Sequence, residues 1–125
     1  MVLISINYSV APIFVAISDL RSQSISVRES AHDHRFQFDE AFSFIVECKD
    51  QSEIDHYWKA LAADPEAGQC GWTKDIFGFS WQIVPENVGR FFDPSTPEAA
   101  ERAMAALLQM KKIDVAALEK AHRGS

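Results

Sequence analysis

Hydrophobic and polar positions alternate in distinct regimes along this chain. Residues 2–9 and 13–18 are mostly β-branched and apolar. Ala11-Pro12 punctuates them, which predicts two strands joined as a hairpin. Residues 20–35 are polar and Ser-rich, with one short alternating run at Ile25-Ser26-Val27. Residues 41–49 read as a strand with one fully apolar face and one half-polar face. Phe42, Phe44, Val46 and Cys48 share one face of a predicted strand, and Ser43, Ile45 and Glu47 share the other. Asp50 followed three residues later by Glu53 is a capping-box pattern. Ile54, Tyr57, Trp58 and Leu61 then form one helical stripe, and residues 62–68 end that helix. Residues 69–74 and 79–84 read as strands around the turn Asp75-Ile76-Phe77-Gly78. Thr96, Pro97 and Glu98 open a further helix, whose buried stripe is Ala100, Ala103, Met104 and Leu107. A last short helix starts at Asp114, with Ile113 and Leu118 spaced as a hydrophobic staple.

Composition narrows the class. The chain has 125 residues, 47% of them hydrophobic and 24% charged, which is ordinary globular composition for one domain. A formal net charge of −6 without a basic stripe argues against nucleic acid as a partner. Cys48 and Cys70 are too few for a disulfide scaffold and lack zinc-type spacing, so free thiols in a cytoplasmic protein are expected. The apolar start is not read as a signal peptide or membrane span. No Lys or Arg precedes it, and Asn7 and Pro12 interrupt it.

Several runs carry a family likeness: Gly68-Gln69-Cys70-Gly71-Trp72, Lys74-Asp75-Ile76-Phe77-Gly78, Ser80-Trp81-Gln82-Ile83-Val84-Pro85 and Met110-Lys111-Lys112-Ile113-Asp114. They resemble the PhnB-like family, often labelled 3-demethylubiquinone-9 3-methyltransferase, of the vicinal-oxygen-chelate (glyoxalase/bleomycin-resistance) superfamily. The resemblance runs from about residue 36 to 122. It implies an α+β fold of βαβββ modules whose paired sheets wrap a cleft. On that plan, residues 1–35 are truncated or divergent strands of an incomplete N-terminal module. Residues 36–90 form a βαβββ module, and residues 91–125 are C-terminal helices, all within one domain spanning 1–125.

Many superfamily enzymes hold a divalent metal in that cleft, with a His on the first strand and a Glu on the last. The resemblance places Ser43 and Gln82 at those two positions. Hard or borderline divalent ions favour carboxylates and imidazoles, so no bound metal or other cofactor is expected. His32 and His34, two apart, are the alternative metal pair.

The ligand-cleft candidates are Ser43, Glu47, Trp72 and Gln82. Glu47 shares the polar strand face with Ser43, where a carboxylate serves as a base or binds a polar group; its bland reading is a strand-end residue in solvent. Trp72 is the candidate ligand wall, whereas Trp58 and Trp81 fall on core faces. Cys48, Cys70 and the pair Lys111-Lys112 read as packing and solvated residues.

Three functions compete: a metal-free small-molecule binder, a metal-dependent lyase, isomerase or dioxygenase-like enzyme, and an inactive dimerising remnant. A homodimer is expected, with exchange of the N-terminal strands as one way to form it. Its basis is the apolar hairpin together with Ile45 and Val84, which the alternation leaves exposed.

Overall fold

The computed structural model describes Leu3–Ile4, Phe14–Leu20, Gln23–Arg28 and residues 39–125. The chain divides into two compact units, Met1–Gln37 and Phe38–Ser125.

In the first unit, β1 (Leu3–Ile4), β2 (Phe14–Leu20) and β3 (Gln23–Arg28) form an antiparallel sheet in that order. Leu3 pairs with Ser18, and Ile17 with Ile25. The alternating run at Ile25-Ser26-Val27 therefore lies in a strand longer than its pattern suggested. The Ala11-Pro12 punctuation and the pair His32 and His34 lie outside the described residues.

The second unit opens with β4 (Ser43–Cys48), then α1 (Gln51–Leu61), β5 (Trp72–Lys74) and β6 (Ser80–Pro85). The sheet order is β4-β6-β5, with β6 parallel to β4 and antiparallel to β5. α1 starts as its capping residues require. The Asp50 carboxylate accepts the Glu53 amide at 2.9 Å, and Glu53 reaches back to the Lys49 amide at 2.8 Å. Its stripe of Ile54, Trp58 and Leu61 is buried. On the sheet, Val46, Cys48, Trp81 and Ile83 are also buried, while Phe44 stacks on Phe79 at 5.0 Å. The expected alternation is thus observed from Phe44 to Cys48, whereas Phe42, expected on the same buried face, lies before β4 and is exposed.

The Asp75 turn is held by backbone bonds between Asp75 and both Gly78 and Phe79, and by the Asp75 carboxylate. Asp75 Oδ1 accepts the amides of Phe77 and Phe79, and its Oδ2 accepts the Trp81 indole N–H at 2.9 Å. Gly78 supplies the positive φ of 78° that the turn needs.

Within residues 41–85 the unit is βαββ: three strands rather than the four of a full βαβββ module. β6 ends on Pro85, which has no N–H to donate. Asn87 then takes a left-handed φ of 56°, and the chain enters a 3-10 turn, Val88–Phe92. α2 (Pro97–Leu107) and α3 (Val115–Arg123) follow. Phe91, Ala103, Ile113 and Leu118 form their buried cluster, so the Ile113–Leu118 staple is present. Two expectations are corrected here. Met104 faces solvent, because Ala103 already fills the contact with α3. Val84 is not exposed but packs against the Phe91 cluster. Among the described residues no helix is long and apolar enough to cross a membrane.

The run from Gly68 to Trp72 grips the segment after α2. The amides of Cys70 and Gly71 donate to the carbonyls of Met110 and Lys111, both at 2.8 Å. The Gln69 side chain donates to the Leu108 carbonyl, and the Cys70 thiol to the Leu107 carbonyl. Lys111 pairs with Glu66 at 2.7 Å and Lys112 with Asp55 at 2.8 Å. Both lysines stay solvent-exposed, as expected, and their ion pairs add little to the backbone bonds that hold this segment. Gln51 completes the clasp. Its amide donates to the Ile113 carbonyl and accepts the Val115 N–H.

Candidate functional site

Strand alternation sends Ser43, Ile45 and Glu47 to the face opposite α1. Register puts Ser80, Gln82 and Val84 beside them on β6, and Trp72 and Lys74 beside Gln82 and Ser80 on β5. On this face Gln82 Nε2 donates to Ser43 Oγ at 2.9 Å. Trp72 is the register partner of Gln82 and is half-buried. Three of the four ligand-cleft candidates are thus brought together. Glu47 is exposed, four residues along β4 from Ser43, so roughly 13 Å separates their Cα atoms.

The Ser43–Gln82 pair is chemically neutral. The hydroxyl keeps its own proton to donate, and the amide keeps a carbonyl oxygen and a second N–H. These groups suit a carbonyl, hydroxyl or amine on an organic molecule. As neutral donors they hold a zinc-, nickel- or iron-type ion far less well than carboxylate, imidazole or thiolate does, and two of them do not complete a coordination shell. Among the described residues, no three His, Cys, Asp or Glu side chains gather as a metal set.

A cleft of about 690 Å³ runs along the β5 side of the sheet. Trp72, Thr73, Lys74 and Ser80 border it from the strands, Asp64, Ala67, Gln69 and Cys70 from the α1–β5 connection, and Glu40 from before β4. Of the sequence candidates it takes only Trp72. Lys74 and Glu40 form an ion pair, and that hydrogen bond above all holds the Glu40 carboxyl below its ordinary range. Cys70 is held by its bond to Leu107, and Cys48 is fully buried, in line with packing roles for both. Lys74 and Ser80 were accessible to sequence reasoning, since alternation puts them on the face of Gln82. Glu40 and Asp64 arrive through loops, for which a period-two pattern has no signal.

The family model for 3-demethylubiquinone-9 3-methyltransferase matches residues 11–84, more than half of the chain. No curated protein matches it.

Proposed function

The chain belongs to the 3-demethylubiquinone-9 3-methyltransferase-like family of glyoxalase-like, vicinal-oxygen-chelate proteins, and from that premise we propose that it binds a small organic molecule on the sheet face opposite α1, without a tightly bound metal. The Ser43–Gln82 hydrogen bond carries this reading. At the two positions where the resemblance implies a metal-holding His and Glu, the chain has a hydroxyl and a carboxamide joined by one hydrogen bond, each with further donor or acceptor capacity. A ligand here meets neutral donors and acceptors flanked by the Trp72 indole, a combination that orients a polar group on an apolar body. Methyl transfer asks for more than this face offers, because neither Ser43 nor Gln82 is a base or a nucleophile at neutral pH. The three-stranded βαββ unit is read as a βαβββ-type module short of one strand, its cleft completed by a second copy of the chain.

Elemental analysis of the purified protein tests the metal half. Zinc, nickel, manganese and iron should each be far below one per chain. One metal per chain, lost on changing His32 or His34, would replace this reading with a metal-dependent enzyme. A thermal-shift screen of small molecules tests the binding half. Hits should lose their stabilising effect in Gln82→Ala, and hits indifferent to that change would move the site elsewhere.

A further inference from the structure

The cleft beside β5 contains a group that its own chain leaves unsatisfied. Ser80 is 1% exposed, and its buried Oγ has no hydrogen-bond partner. No group of the chain pairs with this hydroxyl, and buried polar groups are ordinarily paired. Ser80 borders the cleft together with Trp72, Lys74, Glu40 and Asp64. Its register partner is Lys74, so the hydroxyl and the lysine stem leave the sheet on one side. Trp72 is half-buried, whereas Trp58 and Trp81 are buried. The ionised side chains of the lining are the carboxylates of Glu40 and Asp64 and the ammonium of Lys74. The carboxylates outnumber the ammonium, in a chain whose net charge is −6. A positive charge is drawn both by that surplus and by an indole ring face. The volume of about 690 Å³ suits a drug-sized molecule.

We propose that this cleft is a binding site for a planar aromatic cation, its ring lying on Trp72, its charge facing Asp64 and Glu40, and an amino group donating to Ser80 Oγ. Glu40 gives up Lys74 to meet the ligand. That exchange is easy, because both partners of the ion pair are solvent-exposed and such pairs contribute little. The site adjoins the Ser43–Gln82 pair, shares only Trp72 with it, and stands or falls without it.

Equilibrium dialysis of the full chain decides the matter with two fused tricycles of opposite charge, proflavine and acridine-9-carboxylate. One proflavine should bind per chain, with acridine-9-carboxylate weaker by about tenfold, the equivalent of one or two screened charge contacts. Asp64→Asn, which keeps the acceptor for the Glu66 amide, should weaken proflavine. Lys74→Gln should strengthen it. Ser80→Ala should weaken it without lowering the melting temperature, since the change removes an unpaired buried hydroxyl. Equal affinity for the two tricycles, no proflavine binding, or indifference to both charge changes overturns the proposal. Should Ser80→Ala fail to fold, the two exposed charge variants decide alone. Binding lost in Ser43→Ala but kept in Ser80→Ala overturns this site and assigns the ligand to the neighbouring pair.

Discussion

At Gly71 the backbone has a φ of 85°, and a Cβ would lie 2.8 Å from Ile113 Cδ1 and 2.9 Å from the Ile83 carbonyl oxygen. Its amide and carbonyl are both engaged, with Lys111 and Ile83. The glycine is therefore required twice, for conformation and for close approach. Gly68 is in a related position, since a Cβ there would overlap the Trp58 indole. Gly78 has a φ of 78° but nothing within 4 Å of an added methyl, so only conformation is at stake. Gly71→Ala should cost about 3 kcal/mol from combined strain and overpacking, and Gly78→Ala about 1 kcal/mol, in urea unfolding. Equal costs at the two sites would mean that the Ile113 contact yields freely. Of the runs that carry the family likeness, the one from Gly68 to Gly71 is thus a clasp on the C-terminal segment and serves packing, whereas Trp72, Lys74, Ser80 and Gln82 border the candidate sites.

Among the elements, α1 is the best supported by local rules. Its Asp50 cap, its Glu53 return bond and its three buried side chains agree with one another. Trp58→Ala should cost about 3 to 5 kcal/mol, read as a lower urea midpoint at unchanged slope. A loss below about 1 kcal/mol would show that Trp58 is not a core residue in solution. This helix and the faces of β4 and β6 were legible because period and burial coincide there. The Ser43–Gln82 neighbourhood followed from the same alternation, although the bond between them joins strands that the sequence alone does not pair. β5 was harder. The first half of the strand expected over residues 69–74 is instead spent on bonds to residues 108–111, and Cys70 takes a φ of 54° that no strand pattern anticipates. Met104 falls outside the contact because α2 meets the cluster through Ala103, with Leu107 packed beside it, so the buried stripe is narrower than the set of apolar residues on the helix. The cleft's rim was invisible for a further reason. Glu40 and Asp64 are brought to it by loop closure, a long-range effect without local signature.

For the molecule as a whole, the open question is what covers the sheet face opposite α1. Ile45 lies on it, between Ser43 and Glu47, and is 58% exposed. The face is narrower than the sequence implied, because Val84 is taken by the Phe91 cluster. β1 and β3 are the two edges of the N-terminal sheet, and of its three described strands only β2 is paired on both sides. Edge strands and exposed apolar face residues are both commonly covered by a two-fold partner. We therefore expect a homodimer at micromolar concentration, with sedimentation giving twice the 14.0 kDa chain mass. Ile45→Glu should shift the equilibrium toward monomer if the partner covers this face, since an unpaired charge is costly to bury. Deleting residues 1–18 removes β1 and most of β2, leaving β3 with almost no pairing partner. That deletion should give insoluble protein. A stable 14.0 kDa monomer from the full chain would defeat the dimer. A soluble deletion variant that still dimerises would keep the dimer but remove the N-terminal strands from its interface. A full-length Ile45→Glu protein that remains dimeric would instead move the interface off the β4 face, and the ligand-binding face would then be open in the assembled protein.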